Sequence, residues 1–143
     1  MRAMRKRSLA REIALQALYQ LETRGNEAVS EADDFCSARS EDPEIKEFAE
    51  ELIKGIKEKQ SELDAHIQTM IPNWELERLA LIDRLILRMG TYEMLYRDDI
   101  PPVVSINEAV NIAKKYSTKT SGSFVNGVLD KIYQKKQTNK KQA

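Results

Sequence analysis

The side chains able to do chemistry in this sequence are a sparse set of nucleophiles and bases and a dense set of cations. The chain has one cysteine, Cys36, and one histidine, His66. That excludes an internal disulfide framework and leaves no histidine–cysteine cluster for a metal. Cys36 has no histidine near it in sequence, and no phosphate-cradling glycine loop occurs. Asp98 and Asp99 stand before a proline loop, where a solvated turn is a simpler reading than an acid/base pair. The sequence therefore predicts no active site, no metal and no cofactor.

The cations are organised. Residues 1–11 contain Arg2, Arg5, Lys6, Arg7 and Arg11 and no acid. Guanidinium groups present planar forks of donors to phosphates and base edges, and arginine-rich segments commonly order on RNA. Composition leaves a solvated terminus open as the alternative. Residues 131–143 hold five lysines and no acid, whereas residues 22–64 hold 14 acids against 6 bases. The formal net charge of zero thus averages over a segregated chain, the pattern of a basic surface for a polyanion and an acidic surface facing elsewhere.

Two further groups are candidates. In residues 117–133, Lys119, Ser121, Ser123 and Asn126 can donate to phosphates at a helix N-terminus. Phe124 can stack on a base, or be core with the serines as caps. Gly127, costly inside a helix, would allow close approach by another helix or a ligand backbone. On a mostly apolar helix nearer the centre, Asp83, Arg84 and Arg88 must emerge at a gap in the packing, which makes that gap a candidate contact surface or a solvated stripe.

The elements that position these residues read as helices. Ser8 can cap a helix over 8–23, with Leu9, Ile13, Ala17 and Leu21 along one face. A weaker helix fits 27–39. Asp42-Pro43 starts a third, with Ile45, Phe48, Ala49, Leu52, Ile53 and Ile56 at helical spacing. Ser61 restarts the chain into a further helix that Pro72 ends, and 75–96 reads as one helix apolar nearly all round. After the Ile100-Pro101-Pro102 loop, Ser105 and Glu108 form a capping box. Residues 117–123 connect to a last helix, Phe124 to Tyr133. The expected architecture is all-α: about seven helices in two packed bundles forming one compact domain over 1–143. A basic arm at 1–8 and a frayed lysine-rich tail at 135–143 flank it. No apolar run approaches the ~20 residues of a membrane span, and Arg11 and Glu12 interrupt any signal-peptide core. A reduced, cytoplasmic setting is expected.

Four segments together resemble the NusB family of bacterial transcription antitermination factors: RKRSLAREIALQALYQLE at 5–22, IDRLILRMGTYEMLY at 82–96, IPPVVSINEAVNIAKKYS at 100–117 and SFVNGVLDKI at 123–132. Residues 24–72 resemble it only in helical pattern. The resemblance implies two crossed helical bundles and binding to single-stranded boxA RNA of ribosomal RNA leader transcripts. It also implies pairing with NusE, a small-subunit ribosomal protein, within the RNA polymerase antitermination complex. The free chain would be a monomer or weak homodimer. RNA contacts would fall on Arg5, Lys6, Arg7, Arg11, Arg84, Arg88, Lys119, Ser123, Phe124 and Asn126, and NusE contacts on Tyr19 and Asp83. Ser8 and Leu9 interrupt the arginine run of some relatives, and Thr120 replaces an acid that some carry. The same module resembles the accessory domain of ribosomal RNA cytosine methyltransferases. No cofactor-binding glycine loop precedes Ala143, which favours the adaptor.

Overall fold

The computed structural model describes residues 2–24 and 32–142, with side chains for 5–24 and 34–139. Six α-helices cover most of it: α1 (Arg2–Arg24), α2 (Ala32–Arg39), α3 (Pro43–Met70), α4 (Leu81–Tyr96), α5 (Pro102–Tyr116) and α6 (Lys119–Gln142). A 3-10 turn, Leu76–Arg78, precedes α4. The described residues contain no strand. The chain divides into two compact units, Met1–Glu58 and Lys59–Ala143.

In the first unit, α1 packs on α2 and buries Ala10, Ile13, Ala14, Ala17, Leu18 and Leu21. Leu9, expected on that stripe, is exposed. Steps of four residues drift about 40° around a helix, which carries Leu9 off the buried face. Nor does Ser8 cap α1, because the helix already runs from Arg2 and satisfies the amides there itself. Of the expected second helix, 32–39 is helical, while Ala28 and Val29 lie outside the described residues. The start of α3 follows the sequence signal. Asp42 Oδ1 accepts the Glu44 amide at 2.9 Å and Pro43 takes the first helical position.

No break occurs at Ser61: α3 is one helix of 28 residues. Ile56, Leu63 and Ile67, all buried, keep the helical phase across the site, so nothing forces a restart. Its last twelve residues belong to the second unit. There α4, α5 and α6 pack against one another. Every residue of α4 from Leu85 to Thr91 is buried, as expected of a helix with neighbours on several sides.

The expected helix 75–96 is instead two elements. Gln68 explains the break: its carboxamide nitrogen donates to the carbonyls of Ile71 (3.2 Å) and Trp74 (2.6 Å), while its oxygen accepts the Leu76 amide at 3.0 Å. Arg84 Nη1 then takes the Glu77 carbonyl at 3.2 Å, an acceptor a continuous helix would have used. Ser105 forms no capping box either. Its hydroxyl donates to Glu93 Oε1 at 2.9 Å, because the wholly buried Glu93 carboxylate requires donors. Helix α5 begins earlier, with Pro101 as cap and Pro102 in its first turn. The connection expected over 117–123 shrinks to Ser117-Thr118, where Thr118 Oγ1 accepts the Ser121 amide at 2.9 Å. Helix α6 then runs on to Gln142, favoured by the helix propensity of Lys and Gln and by cations near a C-terminus.

Candidate nucleic-acid and partner surfaces

In the first unit the structure ties up most of the cations that the sequence offers to RNA. Arg5 is exposed. Lys6 Nζ lies 3.1 Å from both Asp42 Oδ2 and Glu44 Oε2. These hydrogen bonds raise the Lys6 pKa above its ordinary 10.5. The hydrogen bond from Lys6 holds Asp42 below its ordinary 3.8. The guanidinium carbons of Arg7 and Arg11 stand 4.8 and 5.3 Å from the Phe48 ring centroid. Arg11 is only 2% exposed. So three of the four arm residues are bound to the start of α3, and one is buried. Tyr19 is 42% exposed on α1, available to a partner.

In the second unit, Arg88 is not at a gap. It is 6% exposed, and its Nε and Nη2 donate to Asp64 Oδ1 and Oδ2 at 2.7 and 3.0 Å. A bidentate pair of this kind is a structural clamp between α4 and α3. Arg84 is half-buried, with Nη1 on Glu77 and Nε meeting no hydrogen-bond partner among the described residues. Asp83 turns toward α6: its Oδ2 accepts from Ser121 Oγ at 3.1 Å. Its buried Oδ1 has no partner among the described residues. Ser121 Oγ also lies 2.9 Å from Ser117 Oγ and accepts from Thr118 Oγ1 at 3.1 Å. This hydroxyl cluster fixes the first turn of α6 to the first turn of α4.

The first turns of α6 carry an exposed polar group. Lys119, Thr120, Ser123, Asn126 and Gly127 are exposed and Phe124 is half-buried. Their spacing of three and four residues puts them along one side of α6. A Cβ built on Gly127 would meet nothing within 4 Å, so no neighbouring helix accounts for the glycine. The arrangement offers a cation, hydroxyl and amide donors, a partly sheltered ring and room for a backbone to approach. Such a surface suits a single-stranded nucleic acid. Among the described residues, no group of three or more His, Cys, Asp or Glu is placed to hold a metal, and no helix is long and apolar enough to cross a membrane.

Two features were not anticipated from sequence: the turn built by Gln68, and Trp74, which it presents at 64% exposure. The signal was there in a lone tryptophan after Pro72-Asn73, but a turn held by a side chain eight residues from its last partner leaves no local pattern.

The fold and these surfaces define an all-helical binding protein of two units with a polar, cation-bearing helix start. The sequence matches the profile of the NusB family over residues 8–134. It is 46% identical over 130 residues to a transcription antitermination protein NusB of Methylacidiphilum infernorum, covering 90% of this chain and 91% of the relative. The structure resembles that of T. maritima NusB with a TM-score of 0.79 at 41% identity, covering 88% and 89% of the two chains. It also resembles the NusB chain crystallised with NusE and double-stranded RNA, with a TM-score of 0.79 at 29% identity and coverage of 92% and 98%. The chain belongs to the NusB family.

Proposed function

We propose that this protein is a transcription antitermination factor that binds single-stranded boxA RNA together with NusE, as an adaptor without catalysis, in the cytoplasm. The observation that carries the reading is the exposed side of α6, with Lys119, Ser123, Asn126 and the bare Gly127 beside the half-buried Phe124 ring. Family membership and the likeness to a NusB chain crystallised with NusE and RNA support the choice of partners. Arg84 in the second unit, and Arg5 in the first, would each offer a phosphate contact. Lys6, Arg7 and Arg11 would join only by leaving their present partners. Tyr19 and Asp83 are the candidate NusE contacts.

Titrating labelled boxA-like RNA with the protein, alone and with NusE, tests this. NusE should tighten RNA binding, because two weak binders sharing one RNA gain effective concentration. Phe124→Ala should weaken RNA binding by about 1–3 kcal/mol if a base stacks on the ring. Unchanged affinity on adding NusE would sink the cooperative reading.

A further inference from the structure

We propose that Lys114 is a further phosphate contact of the RNA surface on α6, held in place by the missing side chain of Gly122. This rests on the reading that the first turns of α6 bind RNA. Gly122 lies inside α6, where glycine is the weakest helix former after proline. Its neighbour explains its presence. A Cβ built on Gly122 would stand 2.9 Å from Lys114 Cγ, 3.3 Å from Cε and 3.6 Å from Cδ. The Lys114 stem, coming from the last turn of α5, therefore lies along bare backbone of α6, in a slot that any larger residue would fill. An ordinary surface lysine samples many rotamers and loses that freedom on binding. Here the stem is ordered before any ligand arrives.

Charge decides what the ammonium meets. On the helix surface Gly122 neighbours Lys119, three residues earlier, and Asn126, four later, both part of the exposed polar group. Neither Lys114 nor Lys119 has an ion-pair or hydrogen-bond partner among the described residues, so two cations share this short stretch with no carboxylate paired to either. The nearby acids are turned away or spaced off. Asp83 reaches α6 at Ser121, about 100° around the helix from Gly122 and on the side away from Lys119 and Asn126. Glu108, the one acid of α5, is half-buried and about 120° around that helix from Lys114. Asp130, the one acid of α6, lies eight residues beyond Gly122, about 12 Å along the axis. An uncompensated pair of cations suits the phosphates of a nucleic-acid strand. Such a contact carries no sequence information, so Lys114 sets affinity and register and leaves base contacts to Phe124 and Asn126.

The test measures binding of a labelled boxA-like single strand to the full-length protein, without NusE, across salt concentrations. Lys114→Gln should weaken binding about threefold or more at low salt and make the log–log salt slope shallower by about 0.7. Lys114→Arg should keep both wild-type values. The loss in Lys114→Gln should be the same for a scrambled strand, as a phosphate contact requires. Gly122→Ala should weaken RNA binding by a similar factor, because its methyl displaces the stem. It should not lower the melting temperature, because alanine is the better helix former. In the Lys114→Gln background, Gly122→Ala should cost no further RNA affinity. Wild-type protein that binds no RNA overturns the α6 reading and this inference together. Wild-type binding that Lys114→Gln leaves within twofold, or weakens for one sequence alone, overturns the inference by itself. A Gly122→Ala loss that persists without Lys114 overturns the slot and puts the RNA backbone against the glycine instead.

Discussion

At the scale of single residues, charge type predicted less than charge partnership. Arg88 and Arg5 look equivalent in the sequence, yet one is clamped by Asp64 and the other stands in solvent. Removing one member of a largely buried ion pair strands the other, at a cost of about 3–5 kcal/mol when both are fully buried. Asp64 keeps 29% of its side chain exposed, so Arg88→Ala should cost roughly 2–3 kcal/mol, read from chemical denaturation. RNA affinity measured where the variant is still folded should be unchanged; a specific loss there would restore Arg88 as a contact. Gly127 separates stability from function in the opposite direction. With open space around its Cβ, Gly127→Ala should stabilise α6 by up to ~1 kcal/mol, and should weaken RNA binding if a backbone approaches there.

Elements were legible where one helix settles its own boundary, and obscure where a distant side chain does. Asp42-Pro43 started α3 as read, and α4 is buried on every side from Leu85 to Thr91, as its composition implied. Ser61 and Ser105 failed as start signals. The first sits where the apolar phase never breaks, and the second is claimed by Glu93 from another helix. The same distinction governs pH. Asp42 is held below its ordinary value, so its contribution to the start of α3 is present above pH ~3.8 and is lost as pH falls through its folded value. Lys6 is raised, so its share is present below pH ~10.5 and is lost as pH rises through its folded value. Asp42→Asn keeps the cap but not the charge. It should melt earlier than wild type at pH 7 and converge with it only as pH falls through the folded pKa of Asp42, which lies below 3.8, as followed by circular dichroism.

For the whole molecule, the all-α class was readable from composition and periodicity, whereas the last helix, expected from Phe124, begins at Lys119. The state of the arm was not readable. Nothing local in residues 5–11 announces that Lys6 finds Asp42 and Glu44, or that Arg7 and Arg11 find Phe48. The dependence of RNA binding on salt tells the two pictures apart, since single strands give a log–log slope of about −0.7 per neutralised phosphate. Contacts from Arg5, Arg84 and Lys119 alone predict a slope near about −2, whereas six cations, with Lys6, Arg7 and Arg11 engaged as well, would give about −4; Lys114 would add about −0.7 to either. The shallower slope is expected, and the steeper one would mean that the arm is released from α3 on binding.

The uninterrupted α3 also restricts how this sequence can change over time. One residue inserted near Phe48 would turn the rest of the helix by about 100° and advance it by about 1.5 Å. Ile45 and the stretch Leu52 to Ile56, which lie within one unit, would then no longer share a face. Insertions and deletions in this helix should therefore survive only in multiples close to whole turns, while the junction at Ser117-Thr118 is free of that periodic constraint. Helix α3 acts as a reading frame for the fold: its residues can be exchanged far more readily than its length.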